Sequence, residues 1–233
     1  SERIRAGLQL GPRVYSTGSV LYGAKSRGRA VIDSFEDAVF HIERLADLGA
    51  ISVKSYQQPS RRQRQWLLSA AREGGLNVYT EGGGDLFGNI GMAIDGHTGV
   101  EHALPVAPLY RDVAEIWART GTGYTPTLLV AYGGISGERF FYQSEELLSD
   151  EKFLRFTPEN WVDSHLRRLG FYVRDNDWFH QSVAESAGAI SELGGNVQLG
   201  GHGQVQGMGP HWELWALAGG MGNEGALYAA TMG

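Results

Sequence analysis

The sequence predicts an α/β protein in which parallel strands, joined by crossover helices, close into a barrel. Three observations carry that expectation. Short apolar stretches of strand character alternate with amphipathic helical stretches along the 233 residues. Glycine supplies 34 of those residues and clusters at 82–84, 133–134, 200–209 and 219–222, between the periodic segments. An open nucleotide-binding sheet would place a glycine-rich phosphate turn after its first strand, and none stands there, which favours the barrel.

The elements read as follows, in chain order. Residues 13–18 form a strand. An amphipathic helix begins at Phe35, with Phe35, Ala38, Val39, Ile42, Leu45 and Ala46 on one face, Ser34 and Asp37 as its capping box, and Gly49 at its end. Residues 51–56 are a short β-branched strand, followed by a basic helix capped by Ser60, running through Arg72 and stopped by Gly74 and Gly75. Strands follow at 76–80 and 99–104, a helix at 108–119, and a strand rich in Thr, Leu and Val at 124–130. Residues 131–175 have no clean period and read as a partly helical, lid-like insertion within one domain of residues 1–233. A helix at 178–193, a strand at 196–199, the glycine-rich loop and two closing helices complete the chain.

Composition narrows the function. Hydrophobic residues at 42% and charged residues at 20% describe a globular chain with a sizeable core. The net charge of −6, from 20 basic and 26 acidic residues, argues against nucleic acid as a partner. With no Cys there is no disulfide, thiolate metal site or cysteine nucleophile, so a metal must bind through His, Asp, Glu or a modified Lys. No apolar run approaches the roughly 20 residues that span a bilayer, so no membrane span is expected.

In a parallel barrel the working groups stand at the carboxyl ends of the strands. Those positions hold Lys54, Glu81, His102, Tyr132 and His202. Lys54, inside its strand, has three readings: an ion-paired or snorkelling lysine, a Schiff-base nucleophile for a lyase or aldolase, or an amine carboxylated to bridge two cations. His102 follows Val100 and Glu101 and reads either as a metal ligand or as a hydrogen-bonded structural histidine, with His97 five residues before it. Asp95, before Gly96, reads as a turn former. The stretch from Gly200 to Glu213 carries His202 and His211 among glycines that let backbone approach a ligand closely.

These residues resemble the amidohydrolase superfamily, specifically its prolidase-like and imidazolonepropionase-like branch, in the subgroup fused behind TolB-like β-propellers. The resemblance spans essentially the whole chain. Its carriers are Gly11-Pro12-Arg13-Val14, Val53-Lys54, Asp95-Gly96-His97-Thr98-Gly99-Val100-Glu101-His102 and Thr125-Pro126-Thr127-Leu128. His202-Gly203-Gln204, His211-Trp212-Glu213-Leu214-Trp215 and Glu224-Gly225-Ala226-Leu227-Tyr228-Ala229-Ala230-Thr231 complete them.

The resemblance implies an incomplete metal-dependent hydrolase-type TIM (β/α)8 barrel holding strands three to eight, with the His-x-His metal pair of the first strand lying before Ser1. It implies hydrolysis of carbon–nitrogen bonds in an amide, cyclic amide or peptide-like substrate, one or two divalent ions with zinc expected, and an N-terminal propeller domain. An exported or periplasmic bacterial location is expected on the same ground. By the same resemblance, Lys54 matches the carboxylated lysine and His102 the sixth-strand histidine ligand. Glu81 stands where the fifth-strand histidine is usual, and His202 where the eighth-strand aspartate base is usual. Metal ligands are therefore Lys54, His102 and Glu81, His202 moves the proton, and His97, Glu101, Tyr132 and His211 contact substrate or support the site. Two other readings remain, the Lys54 Schiff-base enzyme and a barrel that binds without catalysis.

Overall fold

The computed structural model describes residues 2–11, 15–23, 30–58, 60–144, 149–166 and 172–233. They fall into two compact units, Ser1–Glu81 with Gly91–Val100, and Gly82–Ile90 with Glu101–Gly233.

The first unit begins with the single turn α1 (Glu2–Arg5) and the two-residue strand β1 (Leu21–Tyr22). Helix α2 (Phe35–Asp47) starts where Ser34 accepts the Asp37 N–H at 3.0 Å, and acidic Glu36 and Asp37 suit its positive end. The Asp37 carboxylate turns back to the Asp33 N–H at 3.0 Å rather than to that of Ser34, so the expected capping box is displaced by one residue.

Strand β2 (Ser52–Tyr56) precedes helix α3 (Arg61–Glu73), whose capping box between Ser60 and Gln63 is complete. Three arginines in the first turn of α3 oppose its dipole, and Asp95 offsets this by accepting from Arg61 Nε at 2.9 Å. Strand β3 (Asn77–Glu81) follows, then α4 (Leu86–Asp95) and β4 (Gly99–Glu101), two elements through which the division between the units passes.

The strands of this unit lie parallel in chain order, β1 to β4, with Leu21 opposite Ser55 and Val53 opposite Val78. Alternation within β2 buries Val53 and Ser55 and turns Lys54 and Tyr56 to the other face. Val53 and Val78 then pack with Leu21 of β1 and with Ile42, Leu45 and Leu67 from the covering helices into one core. Each such fully buried aliphatic side chain contributes roughly 1.5–3 kcal/mol of transfer free energy.

The second unit holds helix α5 (Arg111–Thr120), which Gly121 ends in the left-handed conformation at φ 70°, and then strand β5 (Gly123–Thr125). A 3-10 turn spans Leu128–Val130. Helices α6 (Glu138–Ser144), α7 (Glu151–Phe156) and α8 (Glu159–Leu166) lie within the stretch expected to be a partly helical insertion.

Helix α9 (Phe179–Glu192) packs on α10 (Gly209–Thr231), which kinks at Gly222 (φ 72°, ψ 168°) and so acts as the two closing helices expected. Gly188 and Gly220 allow that packing. A Cβ on Gly188 would meet the Gly220 carbonyl, and one on Gly220 the Ala184 carbonyl. Trp212 of α10 stacks on Phe141 of α6 at 5.1 Å and anchors a second core with Leu129, Tyr142, Phe153 and Val205.

Several expected elements differ. In the strand expected at 13–18, Arg13 and Val14 lie outside the described residues, as does Pro12 of the motif, and residues 15–18 carry no regular structure; the strand of that region is β1. The strand expected at 124–130 stops at Thr125, because Pro126 offers no N–H and Thr127 turns to φ 51°. At 196–199 only a parallel bridge forms, between Val197 and Tyr124. Helix α4 stands where no element was expected.

Candidate functional site

In the first unit, Lys54 of β2 and Glu81 at the end of β3 meet directly, Nζ to Oε2 at 2.6 Å, with side chains 23% and 13% exposed. The parallel register that sets Lys54 opposite Tyr79 brings them together. Of the three readings of Lys54, this geometry is the ion-paired one. A Schiff-base nucleophile would have to surrender both the proton and the pair. Carboxylation would set two anions against each other, a contact that a cation between them would relieve.

His97 of the same unit is 2% exposed and holds its Nδ1 at 2.9 Å from the Met92 carbonyl, with its pKa lowered first by burial. It is a packed residue rather than one presented to a substrate. Asp95 ends α4 instead of simply forming a turn. Burial opposes its ionisation, but hydrogen bonds from Arg61 and Gln65 hold its carboxyl below the usual range.

In the second unit the residues around His102 gather. His102 closes β4 with φ 73°, and His202 follows the glycine pair with φ 51°. Both are left-handed conformations that cost a side-chain-bearing residue free energy, of the kind that persists where surrounding structure enforces it, often at working sites. Their rings lie 5.0 Å apart edge to face, and Tyr132 stacks on the other side of His102 at 4.3 Å. His102 is 3% exposed, whereas His202 is open to solvent.

Each imidazole is anchored at Nδ1: His102 at 3.2 Å from the Val130 carbonyl, His202 at 3.0 Å from the Gln204 side-chain oxygen. An oxygen that only accepts requires Nδ1 to carry the proton, which puts the ring lone pair on Nε2. This is the arrangement in which histidine binds metal or takes a proton.

The remaining expected residues sit apart from that pair. Glu101 lies partly exposed beside Thr125, with Oγ1 to Oε1 at 3.5 Å. His211 is exposed on the first turn of α10, tilted against Trp215 at 6.5 Å. The glycine at 200 is needed for a close approach not to a ligand but to Thr125 and Thr127, whose side-chain atoms would lie 2.7 and 2.5 Å from a Cβ there.

Glu138 was not singled out by sequence, and Gln204 and Glu213 entered only as carriers of the resemblance. Glu138 is 7% exposed; its Oε2 accepts the Gln204 amide N–H at 2.9 Å and its Oε1 the Tyr142 hydroxyl at 3.0 Å. Gln204 thereby links His202 to a buried carboxylate. Glu213 is fully buried and accepts the N–H groups of Leu128 and Leu129. The i,i+4 spacing of Glu138 and Tyr142 was visible, but their burial was not. A cavity of about 390 Å3 also lies in this unit, lined by Phe140, His180 and Trp215 and not by His102 or His202.

The donor types suit a divalent cation: a carboxylate and a carboxylatable amine in the first unit, imidazole nitrogens in the second. Among the described residues no three His, Asp or Glu side chains gather closely enough to hold one.

No protein-family model matches the chain, and no curated protein matches it significantly. Solved structures do. An amidohydrolase matches with TM-score 0.62 and 16% identity over 99% of this chain and 58% of its own. Bottromycin amidohydrolase matches with TM-score 0.69 and 18% identity, over 99% and 56%. An uncharacterized protein matches with TM-score 0.64 and 17% identity, over 99% and 58%. The fold is thus α/β with a parallel sheet, that of the amidohydrolase barrel over about half its length. The chain spans less than three fifths of each matched protein. No helix among the described residues is long and apolar enough to cross a membrane.

Proposed function

We propose that the protein is a metal-dependent hydrolase of carbon–nitrogen bonds, in amide, cyclic amide or small peptide-like substrates. The observation that carries this reading is the His102–His202 pair, two histidines with left-handed backbone whose rings lie 5.0 Å apart, each with Nδ1 beside a carbonyl oxygen. The fold shared with two solved amidohydrolases supports it.

His102, buried and stacked under Tyr132, is the ligand of the pair. His202, exposed and with the lone pair on Nε2, takes the proton from the attacking water and returns it to the leaving nitrogen. Lys54 and Glu81 supply oxygen donors once Lys54 is carboxylated, Glu81 replacing the usual histidine. A divalent ion, zinc in the first instance, supplies a more acidic bound water and a polarised carbonyl when present. Further donors come from the part of the barrel that the chain does not span, and a propeller domain and an exported location belong to the same proposal.

The test is hydrolysis of a panel of dipeptides, cyclic imides and lactams by the full-length protein, with and without chelator and added Zn2+. Chelator-reversible turnover that falls about 100-fold or more in His202→Gln supports the reading. Turnover indifferent to chelator, or unchanged in His202→Gln, overturns it.

A further inference from the structure

We propose that Glu138 is a positioning residue which sets the tautomer of His202 through the side chain of Gln204. The inference deepens the proposed function, since it rests on that reading for what His202 does, but its geometry stands by itself. A carboxylate only accepts, so the amide atom 2.9 Å from Glu138 Oε2 must be the nitrogen of Gln204. The oxygen end of the same amide then faces His202 Nδ1 at 3.0 Å, and an amide oxygen also only accepts. A neutral His202 then donates from Nδ1 and keeps its lone pair on Nε2.

The chain of consequence begins at a group fixed in place. Glu138 opens α6 with 7% exposure, and the Tyr142 hydroxyl one turn later donates to its second oxygen at 3.0 Å. A buried carboxylate requires such donors, so the Gln204 amide is held nitrogen-first toward Glu138 and cannot turn over without stranding it. His202 itself is exposed, and without this link its two neutral tautomers would both be populated. The insertion that carries Glu138 would thereby prepare a base on the glycine-rich loop without touching substrate.

The test reads the tautomer directly. The protein is labelled with 15N-histidine, and the ring nitrogens of His202, assigned by their loss in His202→Gln, are followed by proton–nitrogen correlation at neutral pH. The expected result is a protonated Nδ1 and a bare Nε2 in the parent protein. Glu138→Leu and Gln204→Leu should each move the tautomer ratio about tenfold toward Nε2–H, the effect of losing one directed hydrogen bond. Tyr142→Phe, which leaves the amide contact in place, should not. If Glu138→Leu fails to fold, Gln204→Leu carries the test.

A parent protein with its proton on Nε2, or two variants that keep the parent tautomer, overturns the proposal. If the tautomer responds as stated while His202→Gln still hydrolyses substrate, the catalytic reading fails and the positioning role stands.

Discussion

The carboxylate of Glu213, one turn into α10, accepts the backbone N–H of Leu128 at 2.7 Å and reaches Leu129 with its other oxygen at 3.0 Å. It thereby closes the chain beyond β5, where Thr127 turns left-handed and two donors would otherwise be buried unpaired. Burial pushes its carboxyl up to about 8, against the two N–H bonds that favour the anion.

A pH dependence follows from that displacement. Because the folded carboxyl binds its proton more tightly than the unfolded one, its contribution to stability is full below about pH 4.5. It is lost as pH rises through about 8, at most about 1.4 kcal/mol per pH unit. Urea midpoints compared from pH 5 to 9 should show the parent protein losing stability relative to Glu213→Gln as pH rises. A pH-independent difference would contradict the assignment.

His180 works in the opposite direction. Burial lowers its pKa to about 4, and Nδ1 has no hydrogen-bond partner. Its stabilising contribution is present above about pH 6.5 and lost as pH falls through about 4, roughly 3 kcal/mol across the interval. His180→Leu should flatten the acid arm of the stability profile, measured by denaturant unfolding between pH 4 and 7.

The Lys54–Glu81 pair is partly shielded, so each single substitution leaves a charge without its partner. The costs of Lys54→Met and Glu81→Gln should together exceed that of the double variant, with a coupling of about 1 kcal/mol. A double-mutant cycle in urea measures it, and zero coupling would mean that the contact carries no stability.

The approach of α9 to α10 depends on missing side chains. Gly188→Ala and Gly220→Ala should each cost roughly 1–3 kcal/mol, because the new methyl meets a carbonyl of the other helix. Gly219→Ala, with open space around the built Cβ, should be neutral or stabilising by up to about 1 kcal/mol through helix propensity. Thermal unfolding of the three variants orders them, and equal costs would place the contact elsewhere.

Much of the fold is written in short-range pattern. The apolar face of α2, the Ser60–Gln63 box of α3, and the strand character of β2 and β3 depend on neighbours within one turn or one pleat. Lys54 and Glu81 lie on β2 and β3 and His102 directly follows β4 for the same reason, whereas Tyr132 and His202 follow no strand, since those expected at 124–130 and 196–199 shrink to β5 and a single bridge. Where local propensity is weak, legibility fails. Helix α4 contains Gly88 and Gly91 and has no strong amphipathic signature, while β1 is only two residues long.

What the sequence alone determined was thus the alternation of strand and helix and the set of polar groups available at the strand ends. Tertiary structure decided which of those groups meet. Glu81 took Lys54 as a salt-bridge partner, His97 went to a backbone carbonyl, and Glu138 reached His202 by way of Gln204. Local periodicity selects a face of each element, but buried polar groups pair across long chain separations, where desolvation makes an unmet partner costly and only the packed chain supplies one.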